Sequence, residues 1–143
     1  MMNWGRPRIE GIQEFRNWGM NYRRFEDLPC RINARELCQA VYELINLPGF
    51  RKDFSFRNQI WDIAGSVMDN IAEGVEDSST KEFVKFLGYS QRSCSEVQSQ
   101  LYRAIDCGYI NKKQFDRVYG LSSDCRKQIK GFRKYLRDYD SKK

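Results

Sequence analysis

With 143 residues, 41% hydrophobic content and a formal net charge of +6, the chain has the size and composition of one globular domain with a real core. There is no histidine, which removes the commonest metal ligand and the commonest general base at neutral pH. No run of eighteen apolar residues exists, and Met1 to Arg6 lack the apolar stretch of a secretory signal, so a cytoplasmic protein is expected.

Residues 1–24 form an N-terminal arm ahead of the main domain, which spans 25–143. The arm carries Arg6, Arg8, Arg16, Arg23 and Arg24 against Glu10 and Glu14. Ile9, Ile12, Phe15, Trp18 and Tyr22 recur at nearly helical spacing. A segment with so many large apolar groups is expected to dock, on its own domain or on a neighbouring subunit.

Four amphipathic helices follow. The first stripe reads Leu28, Ile32, Leu37, Val41, Leu44, Ile45, with Ala34 and Cys38 beside it. Asp27 is its expected cap, Pro29 sits in its first turn and Pro48-Gly49 ends it. The second stripe is Phe56, Ile60, Ile63, Ala64, Val67, Ile71, capped by Asp53 or Ser55. This helix is expected to end near Glu73 with Gly74, before a loop over 75–78. Ser79 with Glu82 fits a capping box for the third helix, whose stripe is Phe83, Phe86, Leu87, Ser90, Cys94, Val97, Leu101, Ala104, Ile105. Gly108 stops it. Asn111 and Gln114 open the fourth, with Phe115, Val118, Ser122, Cys125, Ile129, Phe132 and Leu136 on one side. Gly120 and Gly131 weaken that helix by roughly 1 kcal/mol each relative to alanine.

No segment alternates with period two over a useful length. The expected fold is therefore all-α, an antiparallel up-down-up-down four-helix bundle with an N-terminal arm. The five cysteines, Cys30, Cys38, Cys94, Cys107 and Cys125, match no disulfide or zinc framework. Reduced thiols and no metal or cofactor are expected.

Charge is distributed unevenly. Residues 111–143 hold eleven basic side chains against four acidic ones, a surplus of seven, whereas the whole chain sums to +6. That asymmetry points to a polyanion or to a solvated helix face. Arg126, Lys130, Arg133 and Arg137 fall at i, i+4, i+7, i+11 and make one basic stripe, which Lys127 and Lys134 widen. Phosphates are the target such a stripe suits, and Tyr135 and Tyr139 stand nearby as candidate stacking groups or core tyrosines. No base-reading signature is present.

Two other constellations stand out. Asn70 and Glu73 share a face on a largely apolar segment; they read as a shared acidic site or, preferably, as a hydrogen-bond clasp. Trp61, Gly65, Met68 and Ala72 form a second apolar stripe, suited to wider burial or to a contact with another protomer.

Phe25-Glu26-Asp27-Leu28, Ala34-Arg35-Glu36-Leu37, Gln59-Ile60, Asn70-Ile71-Ala72-Glu73-Gly74, Glu82-Phe83, Phe86-Leu87, Ser93, Glu96, Leu101, Ala104 and Gly108-Tyr109-Ile110 make a pattern. It resembles the four-helix bundle proteins encoded by intervening sequences of bacterial 23S rRNA genes, also called the S23 ribosomal protein family. The resemblance covers about 25–137. It implies an up-and-down bundle assembled as a ring, commonly a homopentamer, without established enzymatic activity. A related branch, the accessory proteins of diversity-generating retroelements, implies basic pentameric barrels that bind nucleic acid and partner a reverse transcriptase. Two departures stand out. Trp61-Asp62 replaces arginines that the family often has after Gln-Ile, and Ser66-Val67-Met68-Asp69 replaces a Ser-Ile-Pro-Ser run.

The leading expectation is a non-enzymatic, homo-oligomeric bundle that binds RNA or DNA through its basic C-terminal helix. The alternative is a protein-interaction scaffold, or an accessory subunit of a nucleic-acid enzyme such as a reverse transcriptase.

Overall fold

The computed structural model describes residues 25–76 and 79–141, and among these every regular element is helical. The arm over residues 1–24, the tip of the loop expected at 75–78, and Lys142 and Lys143 lie outside the described residues. A 3-10 turn over Phe25–Asp27 leads into α1 (Pro29–Ile45). A single helical turn over Pro48–Arg51 separates it from α2 (Phe54–Glu76). Helices α3 (Thr80–Asp106) and α4 (Lys112–Ser141) complete the chain.

Most helix boundaries follow local side-chain chemistry. Asp53 Oδ1 accepts from Phe56 N at 3.2 Å and opens α2. Ser79 Oγ accepts from Glu82 N at 3.2 Å and opens α3. At α4 the box is reciprocal: Asn111 Oδ1 accepts from Gln114 N, and Gln114 Oε1 accepts from Asn111 N, each at 2.8 Å. Helix α3 stops at Gly108, whose φ of 75° suits a residue without Cβ, and Tyr109 N returns to Ala104 O at 3.0 Å.

Two boundaries differ from expectation. Leu28, not Asp27, occupies the N-cap of α1, and no side chain among the described residues caps it. Pro29 at the first helical position has no N–H to satisfy, and the Leu28 carbonyl accepts from Arg31 N and Ile32 N, both at 3.0 Å. Helix α2 passes through Gly74 and ends at Glu76. Gly74 is buried in the helix because Phe83 packs on it: a Cβ there would lie 2.5 Å from Phe83 Cδ1.

The contacts run in opposite senses along α1–α2, α2–α3 and α3–α4. Cys38 Sγ donates to Ala64 O at 3.2 Å, while Asn46 Oδ1 accepts from Arg57 at 3.4 Å. Between α2 and α3, Ser90 Oγ donates to Val67 O and Ser66 Oγ to Ser93 Oγ, both at 2.7 Å. Arg103 reaches Gln59 at 3.2 Å. Between α3 and α4, Ser122 Oγ donates to Cys94 O and Gln98 Nε2 to Ser123 Oγ, both at 2.8 Å. Arg133 Nε reaches Val84 O at 3.0 Å. Arg117 on α4 meets Glu43 on α1 at 3.3 Å. Each long helix thus packs on two others, so the four close around one core.

The apolar stripes form that core: Leu37, Val41, Ile60, Val67, Ile71, Phe83, Leu87, Val97, Leu101, Val118, Ile129 and Leu136 are buried. Ile32 is the exception, 51% exposed. Leu28 has extended backbone, with ψ of 128°, so the helical phase starts after it. Ile32 and Leu37 are five positions apart, about 140° around α1, which turns Ile32 away from the core face.

Four thiols lie in this core: Cys30, Cys38, Cys94 and Cys125 are buried, and Cys107 is exposed. Burial pushes the Cys30 thiol up to about 12 and that of Cys38 up to about 11. Cys125 is raised by its hydrogen bond with Cys94 and then by burial. All five are free thiols, and raised values keep Cys30, Cys38 and Cys125 neutral at pH 7.

Candidate nucleic-acid interface

Helix α4 is unbroken from Lys112 to Ser141, Gly120 and Gly131 included, so the i, i+4, i+7, i+11 spacing puts Arg126, Lys130, Arg133 and Arg137 along one edge. That edge borders α3. Arg133 Nε donates to the Val84 carbonyl at 3.0 Å, and its guanidinium lies over Gly88. Burial, and then the charge of Arg137, lower the Arg133 pKa from its ordinary value. Arg126 is half-buried, and its Nε has no hydrogen-bond partner among the described residues. Lys130 and Arg137 are exposed. Among the described residues none of Arg126, Lys130 and Arg137 forms an ion pair, so their charge is not neutralised locally.

The two flanking lysines behave differently. Lys134 sits 4.0 Å from Asp138, with both side chains mostly in solvent, a pairing that contributes little. Lys127 turns the other way and lines a cleft of about 620 Å³ between α1 and α4, with Leu28, Asn33, Asp124 and Phe132.

Of the two readings of Tyr135 and Tyr139, stacking groups or core tyrosines, the structure fits the second for Tyr139. Tyr135 and Tyr139 each follow a stripe arginine by two residues, which is about 200° around the helix. They belong to the opposite edge of α4, where Tyr139 packs against the core and Tyr135 is 41% exposed. The tyrosines in line with the arginines were not singled out from the sequence. Tyr119 lies seven residues before Arg126 on the same edge, and Tyr102 of α3 packs against it with ring centroids 6.0 Å apart. Continuing the i, i+3, i+4 series toward the start of α4 finds Tyr119. Only the pairing of α3 with α4 finds Tyr102.

Asn70 and Glu73 do not form an acidic site. Asn70 Nδ2 donates to Ser66 O of its own helix at 2.8 Å, a local clasp. Glu73 is exposed, so no buried carboxylate exists there to be paired or protonated. The second apolar stripe runs along the α1–α2 junction. Trp61 is 42% exposed and its ring sits 5.7 Å from that of Tyr42, while Met68 packs on the core. A Cβ on Gly65 would meet none of the described residues within 4 Å.

Among the described residues no helix is long and apolar enough to cross a membrane. No group of three or more Cys, Asp or Glu side chains there could hold a metal ion.

A family model described as 23S rRNA-intervening sequence protein matches residues 26–131. The crystal structure of a protein of unknown function from the S23 ribosomal protein family, from Bacteroides thetaiotaomicron VPI-5482, superposes with a TM-score of 0.67. It covers 73% of this chain and 95% of that one at 22% identity, a likeness of fold. A 53-residue stretch, 36% of this chain, is 40% identical to part of the Lethal(2) giant larvae protein of Drosophila melanogaster. The chain spans 5% of that protein's length.

Proposed function

Because the chain belongs to the 23S rRNA-intervening sequence protein family, we propose that it works without catalysis, as a self-associating helical bundle that binds nucleic acid through α4. The observation that carries this reading is the edge of Arg126, Lys130 and Arg137, aligned on one helix and without ion pairs among the described residues. Lys127 and Lys134 add charge farther round α4. Arg133 contributes a charge held in place by Val84. A ring of protomers, a pentamer on the family resemblance, would repeat this edge and raise avidity. Trp61 and Met68, beside the open space at Gly65, are the side chains proposed for the contact between protomers. The cytosol is the compartment that suits such a role.

Fluorescence anisotropy against RNA, single-stranded DNA and duplex DNA tests the reading. Affinity should fall steeply with salt, with a slope of about −0.9 per phosphate on duplex DNA. Replacing Arg126, Lys130, Arg133 and Arg137 with glutamine should abolish binding and keep the helical signal. No binding to any of the three at low salt would refute the proposal. For assembly, light scattering coupled to size exclusion should give several times 17.0 kDa; a clean monomer would rule out the ring.

The exposed Tyr42–Trp61 ring pair favours a second reading, a scaffold or accessory subunit that contacts a nucleic-acid enzyme such as a reverse transcriptase. Trp61→Ala separates the two by oligomer size: a smaller oligomer favours the protomer contact of the first reading, whereas loss of the partner enzyme with the oligomer unchanged favours the second.

A further inference from the structure

The basic edge of α4 is one side of a longer track. On α4 the residues at alternating steps of four and three are Tyr119, Ser123, Arg126, Lys130, Arg133 and Arg137. The matching series on the antiparallel α3 is Tyr102, Gln98, Ser95, Gln91, Gly88, Val84 and Lys81. Three contacts tie the two edges together: Tyr102 with Tyr119 at 6.0 Å, Gln98 with Ser123 at 2.8 Å, and Arg133 with Val84 O at 3.0 Å. From Tyr119 to Arg137 the seam is about 27 Å long, eighteen helical rises of about 1.5 Å each. Neither series contains an acidic residue.

The two ends differ in chemistry. At one end Tyr102, Phe115 and Tyr119 pack ring on ring, with centroids 5.0, 5.3 and 6.0 Å apart. Tyr102 is 54% exposed, so one ring of a buttressed cluster is open to solvent. At the other end Lys81, Val84 and Arg137 line a small cleft with Asp140 and Ser141. Between the ends, Ser95 and Ser123 are small, and the Arg133 guanidinium covers Gly88. A groove of cationic groups that tracks a backbone, together with an aromatic platform, suits single-stranded nucleic acid. A duplex keeps its bases stacked inside and offers nothing to Tyr102.

We propose that the α3–α4 seam is a track for single-stranded nucleic acid, with phosphates along Arg126, Lys130, Arg137 and Lys81 and an unpaired base stacked on Tyr102. This rests on the nucleic-acid reading above and adds the strand class and the platform. The Phe115 and Tyr119 rings hold Tyr102 in place before the ligand arrives, so little side-chain freedom is lost on binding.

The test is anisotropy with dye-labelled single-stranded RNA, single-stranded DNA and blunt duplex DNA of equal length. Wild type is compared with Tyr102→Leu, Tyr102→Phe and a triple Arg126→Gln, Lys130→Gln, Arg137→Gln variant. Leucine keeps an apolar contact with Phe115 and removes the π face, and circular dichroism checks the fold. Wild type should prefer both single strands to the duplex. Tyr102→Leu should weaken single-strand binding about five- to a hundredfold and leave duplex binding unchanged, since stacking is worth about 1–3 kcal/mol per base. Tyr102→Phe should restore it. The triple variant should lose all probes. Tyr102→Leu binding single strands like wild type, Tyr102→Phe failing to rescue, or a preference for duplex would overturn the track while leaving the charge-based reading intact. Failure of wild type to bind any probe at low salt would remove both.

Discussion

Arg133 and Gly88 act as one unit across the α3–α4 seam. The guanidinium lies so close that a Cβ on residue 88 would come within 2.8 Å of Nη2, while Nε donates to Val84 O at 3.0 Å. The glycine makes room for the arginine, and the arginine supplies a fixed charge at the middle of the basic edge. Gly88→Ala should therefore leave stability within about 1 kcal/mol of wild type. The helix-propensity gain is of that size, and the group displaced is the far end of a flexible side chain. Gly88→Leu should push Arg133 off Val84 and lower the urea midpoint further. Equal midpoints for the two variants would show that the contact contributes nothing.

Gly74 gives the opposite sign. A Cβ there would stand 2.5 Å from Phe83 Cδ1 and 3.3 Å from Phe86 Cβ. Phe83 is fully buried and meets Phe132 edge-on at 5.4 Å, so it cannot swing away. We expect Gly74→Ala to cost about 1–3 kcal/mol by overpacking, read as a fall in the denaturant midpoint. A rise would mean that the α2–α3 junction is looser than described.

Gly120 and Gly131 have no such neighbour among the described residues: a Cβ on either would meet none of them within 4 Å. Alanine at each should stabilise by about 0.4–1 kcal/mol, because the unfolded chain loses freedom and the helix gains propensity. Thermal melts of the two single variants check this, and a destabilised Gly131→Ala would show that the glycine backbone is needed at that point of α4.

The reciprocal box at Asn111 satisfies an amide at the start of α4 and one at the cap itself. Asn111→Ala should cost about 0.5–2 kcal/mol. Asn111→Ser should recover much of it. An alanine variant as stable as wild type would show that Gln114 alone holds the first turn.

The buried thiols make stability fall in alkali. The Cys30 thiol is raised to about 12 in the folded chain against an ordinary value of 9.0. The unfolded chain therefore loses this proton first, and the contribution is whole below pH 9. It declines between pH 9 and about 12, by about 1.4 kcal/mol per pH unit per thiol. Cys30→Ala should flatten that decline while lowering stability at pH 7. A thiol reagent at pH 8 should label Cys107 quickly and the four buried cysteines only on unfolding; fast labelling of Cys94 or Cys125 would contradict the packing.

The sequence by itself determined the helices and much of their ends, because those depend on neighbours three or four residues away. Asp53, Ser79, Asn111 and Gly108 act through their own turns, and the apolar stripes of α2, α3 and α4 keep one phase along each helix. Ile32 was misplaced for a local reason, since the phase of α1 begins after Leu28. The alignment of Arg126, Lys130, Arg133 and Arg137 was equally legible, being set by helix pitch alone. Only the tertiary structure decided what each edge meets. Glu73 points to solvent, Lys127 lines the α1–α4 cleft, Arg133 is tied to Val84, and Tyr102 completes the edge that Tyr135 and Tyr139 do not reach. Pitch fixes which residues of one helix share a face. Which helix lies beside that face depends on how four apolar stripes close around a common core, and that is a property of the whole chain.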